Sequence, residues 1–214
     1  MDRHFVRTVI MQLVYSSLLG GNQQPKTLAM LYGKKTLSPE AQQRITEATN
    51  VIARVGIGMD NHIDGWSVNW SVERIPKVVL SILRFGMYEL IYLPTPPAVT
   101  INECVELAWE FAHDEAVPYI NGLLSTCLRE LQDGRLTMES LEAESALLNQ
   151  EAERRAAVEA AAAAEKLLIK NAAAEAEAEM ERLDLADDIL SSYEYMRSLR
   201  DTKKNAVICA ETDD

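Results

Sequence analysis

Arg3 and Arg7 stand four residues apart near the start of the chain. On a helix that spacing leaves them about 40° apart, so one face presents two cations. Tyr15 lies two turns further along, drifted toward the same side. Arginine with an aromatic ring is the minimum equipment for holding a single strand of nucleic acid. The guanidinium groups neutralise phosphates and the ring stacks on a base. Tyr119, at the start of a later apolar stretch, is a second candidate for stacking. The competing reading is a pair of solvated arginines beside a core tyrosine.

Other chemistry is harder to build from these residues. His4, His62 and His113 have no cysteine, histidine or carboxylate partner at zinc spacing, and His113-Asp114-Glu115 reads as a polar loop. Gly56-Ile57-Gly58 lacks both the third glycine and the preceding strand of a dinucleotide fingerprint. No phosphate-binding loop and no nucleophile elbow occurs. Neither catalysis nor a metal or cofactor is expected. Cys104, Cys127 and Cys209 are odd in number and far apart, as suits reduced thiols in a cytoplasmic protein.

The elements that must position the candidate residues are helical. Residues 3–19 carry Val6, Val9, Ile10, Leu13 and Ser17 at helical spacing, widened by Phe5, Val14 and Leu18. A segment this apolar is buried on most sides. Its outline imitates a signal peptide, but Gln12, Tyr15, Ser16 and Ser17 interrupt the apolar run and no cleavage site follows. Pro25 to Tyr32 suggests a short helix. Ser38-Pro39-Glu40 then opens a long one with a hydroxyl cap, proline at N1 and an acid in the first turn. Its stripe runs through Ala41, Ile45, Ala48, Ile52, Val55, Met59, Ile63 and Trp66. Gly56 and Gly58 are expected to admit a neighbouring helix, and Asp64-Gly65 to end or kink this one. A third helix is expected from a Ser71 cap, with Pro76 inside its first turns and Ile75 to Leu90 supplying its apolar face. Thr100 and Glu103 have the spacing of a capping box for the fourth. Ala116-Val117-Pro118 begins the last helix of the body. The fold class is all-α, a bundle of six or seven helices.

Composition agrees. Nine glycines and seven prolines in 214 residues are too few for the turns of a β-sandwich or barrel. No apolar stretch reaches the ~20 residues that span a bilayer. The net charge of −12 is uneven. Residues 1–135 carry 12 basic and 14 acidic side chains, whereas residues 136–214 carry 9 and 19. Every glycine and proline precedes residue 135. A boundary is therefore expected near 134–136, between a body (1–135) and an acidic helical extension (136–214), partly disordered at its end.

Four blocks of the body resemble a known family. They are Asn69-Trp70 followed by Arg74, then Ile82-Leu83-Arg84-Phe85-Gly86-Met87-Tyr88-Glu89-Leu90, then Pro97 to Ala108 with Ile101-Asn102-Glu103, and Tyr119-Ile120-Asn121-Gly122-Leu123-Leu124. Their order and spacing resemble the bacterial transcription antitermination factor NusB, over residues 1 to about 131. Met11-Gln12-Leu13-Val14-Tyr15 adds a weaker fifth block. The resemblance implies a two-subdomain helical bundle without catalytic activity. It implies binding of boxA-type single-stranded RNA together with the ribosomal protein NusE, on behalf of elongating RNA polymerase. The RNA would be held through Arg3, Arg7, Gln12, Tyr15 and Tyr119. Arg84, Glu89, Asn102, Glu103, Asn121 and Gly122 read as structural: ion pairing for Arg84 and Glu89, capping for Asn102, close packing for Gly122. Family members commonly begin with a denser arginine run than Arg3-His4-Phe5-Val6-Arg7. The alternative is therefore a divergent adaptor of the same fold that has lost RNA binding. A third class, an RNA-modifying enzyme with a NusB-like domain, lacks any cofactor-binding segment here.

The extension is rich in strong helix formers, including the run Ala160 to Ala164. Glu151 and Arg155 form a favourable i,i+4 pair. No heptad survives Ala156 to Ala164, so a coiled coil is not expected. Leu185, Ile189, Tyr193 and Met196 restore an amphipathic stripe. The extension is either a solvated single helix or a docking helix for the body or for another protein.

Overall fold

A computed structural model describes residues 3–21, 37–67 and 70–210, without the side chains of 176, 184, 186 and 198–210. The expected helix at Pro25 to Tyr32 and the Val68-Asn69 part of the tryptophan motif lie outside the described residues. Among the described residues six α-helices and one 3-10 turn follow in order: α1 (Arg3–Leu18), α2 (Pro39–Trp66), the turn Val72–Arg74, α3 (Lys77–Tyr92), α4 (Pro97–Phe111), α5 (Ala116–Gln132) and α6 (Met138–Ala210). No strand occurs among the described residues. The all-α expectation holds.

Helix α3 is the axis of the body. It packs against α1, α2, α4 and α5, and ten of its sixteen residues are buried, which its nearly continuous apolar sequence permits. Helix α2 buries the periodic stripe from Ala41 to Ile63, and the Ser38 hydroxyl caps it by accepting from the Ala41 amide at 3.3 Å. Helix α1 buries Val9, Ile10, Met11, Leu13 and Val14, as expected of a core helix. Close approach explains Gly56 and Gly58. A Cβ at Gly56 would meet the Arg84 guanidinium at 2.8 Å, and one at Gly58 would collide with Ser145 of α6.

Two local expectations are corrected. Pro76 precedes α3 instead of lying within it, because proline biases Ile75 toward extended backbone; Ser71 introduces only the short 3-10 turn. Asp64-Gly65 lies in the last turn of α2, which ends at Trp66 as expected, with the Ser67 amide donating to the Asp64 and Ile63 carbonyls. Thr100 and Glu103 do not form a capping box. Pro97 has already started α4 three residues earlier, so the fully buried Thr100 hydroxyl is free to donate to Glu89.

The compact unit does not stop near residue 135. It extends to Glu153, and residues 154–214 form a second unit. Gly134, with φ +70°, closes α5 as a turn rather than opening a linker. Thr137 and Ser140 then cap α6 reciprocally: the Ser140 amide donates to Thr137 Oγ1 at 3.1 Å and the Thr137 amide to Ser140 Oγ at 2.9 Å. Leu136, Leu141 and Ser145 are buried, and Ser145 Oγ lies 3.3 Å from the Val55 carbonyl of α2. Arg54–Glu142 (2.7 Å), Asn61–Glu144 (2.7 Å) and His62–Glu144 (2.9 Å) line the same seam. In the second unit the described side chains are exposed.

Candidate nucleic-acid and protein interface

Burial of one face of α1 decides what its other face can do. Arg7 points inward, only 8% exposed, onto Glu89 of α3, itself 5% exposed. Arg7 Nε donates to Glu89 Oε1 at 2.9 Å and Nη2 to Oε2 at 3.3 Å, a forked pair. Its Nη1 lies 3.5 Å from Glu103 of α4. Thr100 Oγ1 adds a hydrogen bond to Glu89 Oε2 at 3.1 Å. Burial opposes the Arg7 charge, but the bonds and field of Glu89, with Glu103 beyond, outweigh it and raise the pKa of the guanidinium. Arg7 therefore ties α1 to α3 and α4.

Next to it His4 bridges two carboxylates, Nδ1 to Glu103 at 2.9 Å and Nε2 to Glu110 at 3.5 Å. The Glu103 hydrogen bond, above all, raises the His4 pKa against the opposing effect of burial. Imidazolium suits the position, since both ring nitrogens then donate.

The expected pair of surface cations is thus corrected to one. Arg3 is exposed; Arg7 is enclosed by carboxylates, and offering it to a phosphate would leave Glu89 buried and unpaired. Tyr15 is 37% exposed and Gln12 partly so. Twelve residues of α1 separate Arg3 from Tyr15, about 18 Å of helix, so they cannot grip the same nucleotide.

Tyr119 is half-buried at the start of α5. Its hydroxyl lies 3.0 Å from Ser67 Oγ, and its ring centroid is 6.5 Å from that of Trp70, tilted by 42°. Trp70 is 53% exposed. It was missed as a candidate because its motif reads as a helix lead-in; an aromatic among polar residues was the available signal.

The residues read as structural divide. Arg84 forms a forked pair with Asp60 at 2.8 and 2.5 Å, and Glu89 pairs with Arg7, so both ion-pair expectations hold. Glu103 joins the Arg7–His4 cluster. Asn102 is exposed on α4, six residues after the Pro96 N-cap and so past the turn that a cap serves. Asn121 and Gly122 are exposed as well, and a Cβ at Gly122 would point into open space, so close packing within this chain does not explain that glycine. The packing glycine is Gly86, where a Cβ would meet Leu124 at 2.8 Å and Cys104 at 2.9 Å. Helix α4 also exposes Val99, Asn102, Glu106 and Trp109 at spacings of three and four, a single outward stripe.

Among the described residues no cluster of three metal-ligating side chains occurs, and no helix is long and apolar enough to cross a membrane. Burial raises both described thiols, Cys127 to about 12 and Cys104 further, so neither is a nucleophile at neutral pH.

Residues 4–129 match the NusB family. The transcription antitermination protein NusB of Oleidesulfovibrio alaskensis is 35% identical over 136 residues, which cover 58% of this chain and 88% of the relative. Its counterpart in Nitratiruptor is 31% identical over 134 residues, 62% of this chain and 95% of the relative. Among solved structures, T. maritima NusB aligns with a TM-score of 0.55 at 21% identity, covering 61% of this chain and 92% of that one. A complex of the antitermination factors NusB and NusE with dsRNA aligns with a TM-score of 0.51 at 24% identity, covering 60% of this chain and 98% of that one.

Proposed function

The chain belongs to the NusB family, and from that premise we propose that it is a cytoplasmic transcription antitermination factor that acts by binding, not by catalysis. It binds boxA-type single-stranded RNA together with the ribosomal protein NusE. The assembly engages elongating RNA polymerase and suppresses premature termination of ribosomal RNA transcription. Support comes from relatives that carry the antitermination name and from a similarly folded complex of NusB and NusE with dsRNA.

The observation that carries the RNA assignment is the division of α1. Its apolar face and Arg7 are engaged in the body, while Arg3, Gln12 and Tyr15 retain solvent contact. Arg3 supplies a phosphate contact and Tyr15 a stacking surface; Tyr119, backed by Trp70, is a second place for a base. The NusE-type partner docks on the outward faces of α4 and α5, where Trp109 offers an aromatic anchor and Asn121-Gly122 a side-chain-free approach to the backbone.

With Arg7 withdrawn, few phosphates are neutralised. Each contributes about −0.7 to the slope of log K against log salt on a single strand. The test is a fluorescence titration of a boxA-like RNA at several salt concentrations, with and without the partner. Binding with a slope of about −0.7, the share of Arg3 alone, weakened by Arg3→Ala and Tyr15→Ala, supports the assignment. Tighter binding to a duplex of the same sequence would overturn the single-strand assignment. The burial of Arg7 also favours a second reading, an adaptor that keeps the partner and has lost RNA. Partner binding with no RNA binding at any salt concentration would select it.

A further inference from the structure

The outward line of α1 begins at His4, not at Arg3. At 100° per residue, Thr8, Gln12 and Tyr15 lie about 40°, 80° and 20° round from His4, whereas Arg3 stands about 100° to the other side. His4, Thr8, Gln12 and Tyr15 all keep contact with solvent, while Val9, Ile10, Met11, Leu13 and Val14 between them are buried. The ring of His4 is held at the head of this line by α4. Glu103 takes Nδ1 at 2.9 Å, inside the ordinary hydrogen-bond range, and is itself approached by Arg7. Nε2 reaches Glu110 only at 3.5 Å, outside that range, and Glu110 is more than half exposed. One ring nitrogen is therefore fixed and the other is loosely engaged at the surface.

The charged groups around the ring are Glu103 and Glu110 of α4, Arg7 of α1 and, behind Arg7, Glu89 of α3; Glu106 is exposed one turn from each acid on α4. The Arg7–Glu89 pair cancels itself. Glu103 and Glu110 then leave a local charge of −2 beside a neutral imidazole and −1 beside an imidazolium. The difference at Nε2 is sharper still. A neutral ring has one N–H, which Glu103 takes, so Nε2 turns a lone pair outward and repels an anion. An imidazolium keeps Nδ1–H on Glu103 and presents Nε2–H as a donor. We propose that His4 is a phosphate contact for the RNA, made only by its imidazolium, with Nε2–H passing from Glu110 to a phosphate oxygen while Nδ1–H stays on Glu103. The inference rests on the RNA assignment above and adds to it a residue and a pH dependence. His4 supplies the second cation that Arg7 does not, and the strand is held in mild acid and loosened in mild alkali.

The test is a titration of the fluorescent boxA-like RNA on the full chain at about pH 6 and about pH 8.5, on either side of the ordinary histidine value. The phosphodiesters keep their charge throughout. Affinity should fall about tenfold from the lower pH to the higher, the scale of one charge-assisted hydrogen bond. The slope of log K against log salt should ease from about −1.4 to about −0.7 as the second phosphate contact is lost. His4→Gln should bind at the weaker level at both pH values, and His4→Arg at the tighter level at both. Glu110→Gln, which removes the competing carboxylate, should tighten binding in acid. Melting of each variant at each pH checks that the fold is kept. Equal affinity of the unaltered chain at both pH values would overturn the proposal. So would a pH dependence that survives His4→Gln, since His62 and His113 remain in that variant, or a failure of His4→Arg to bind in alkali. Absence of RNA binding by every form at every pH would instead remove the RNA assignment itself, and this contact with it.

Discussion

Removing residues 136–153 should destabilise the body far more than removing residues 154–214. Leu136 and Leu141 are fully buried, and full burial of a leucine is worth about 1.5–3 kcal/mol. Their loss costs about 3–6 kcal/mol, an upper estimate because the unfolded chain already shelters some apolar surface. Ser145 covers Gly58 and reaches the Val55 carbonyl, so truncation also opens a stretch of α2 that is otherwise buried. The half-exposed Arg54–Glu142 pair adds up to about 1 kcal/mol. A domain of this size has roughly 5–15 kcal/mol in total. The assay is urea unfolding of residues 1–135, 1–153 and the full chain, followed by circular dichroism and by tryptophan fluorescence. The fluorescence reports on the body alone, since all three tryptophans lie in residues 66–109. With a slope of about 2 kcal/mol per molar urea, the midpoint of 1–135 should fall by about 1.5–3 M relative to 1–153. The fluorescence midpoint of 1–153 should match that of the full chain. Equal midpoints for 1–135 and 1–153 would refute the contribution of α6 to the core.

Other perturbations separate structural roles from binding roles. Arg7→Met should cost about 3–5 kcal/mol in urea unfolding by stranding Glu89, and Glu89→Met in the same chain should recover most of it. The raised pKa of His4 means that its ion pairs stabilise the fold fully below the ordinary histidine value of about 6.5 and lose that contribution as pH rises through the native value. The destabilisation by His4→Gln should therefore be largest in mild acid and fade in alkali, measured by melting at a series of pH values. Gly122→Ala should stabilise α5 by about 1 kcal/mol in thermal unfolding, because the position is helical and open. If the partner approaches the backbone there, the same change weakens partner binding in a pull-down, and unchanged binding would remove Gly122 from that face.

Helices α1, α2 and α5 were legible because their apolar residues recur at three and four, and no other period buries them together. The family blocks were legible in part for the same reason: Ile82, Leu83, Met87, Leu107 and Leu124 are core residues, whereas Trp70, Asn102, Asn121 and Gly122 of the same blocks are exposed. The ion pairs of Arg84 and Glu89 were expected as a class, from charged residues on an apolar helix. Their partners, Asp60 and Arg7, lie 24 and 82 residues away, and no local spacing could name them. Helical periodicity places a side chain on a face; only the packing of three helices shows whether that face is solvent. For Arg7 that distinction separates a phosphate contact from a buried tie. The end of the body was hidden likewise. Gly134 and the absence of later proline mark a change of composition, whereas Leu141 and Ser145 belong to the core because α2 offers a glycine-lined place for them. Composition and period set the fold class and the helices; long-range packing decided which charges remained at the surface to bind anything.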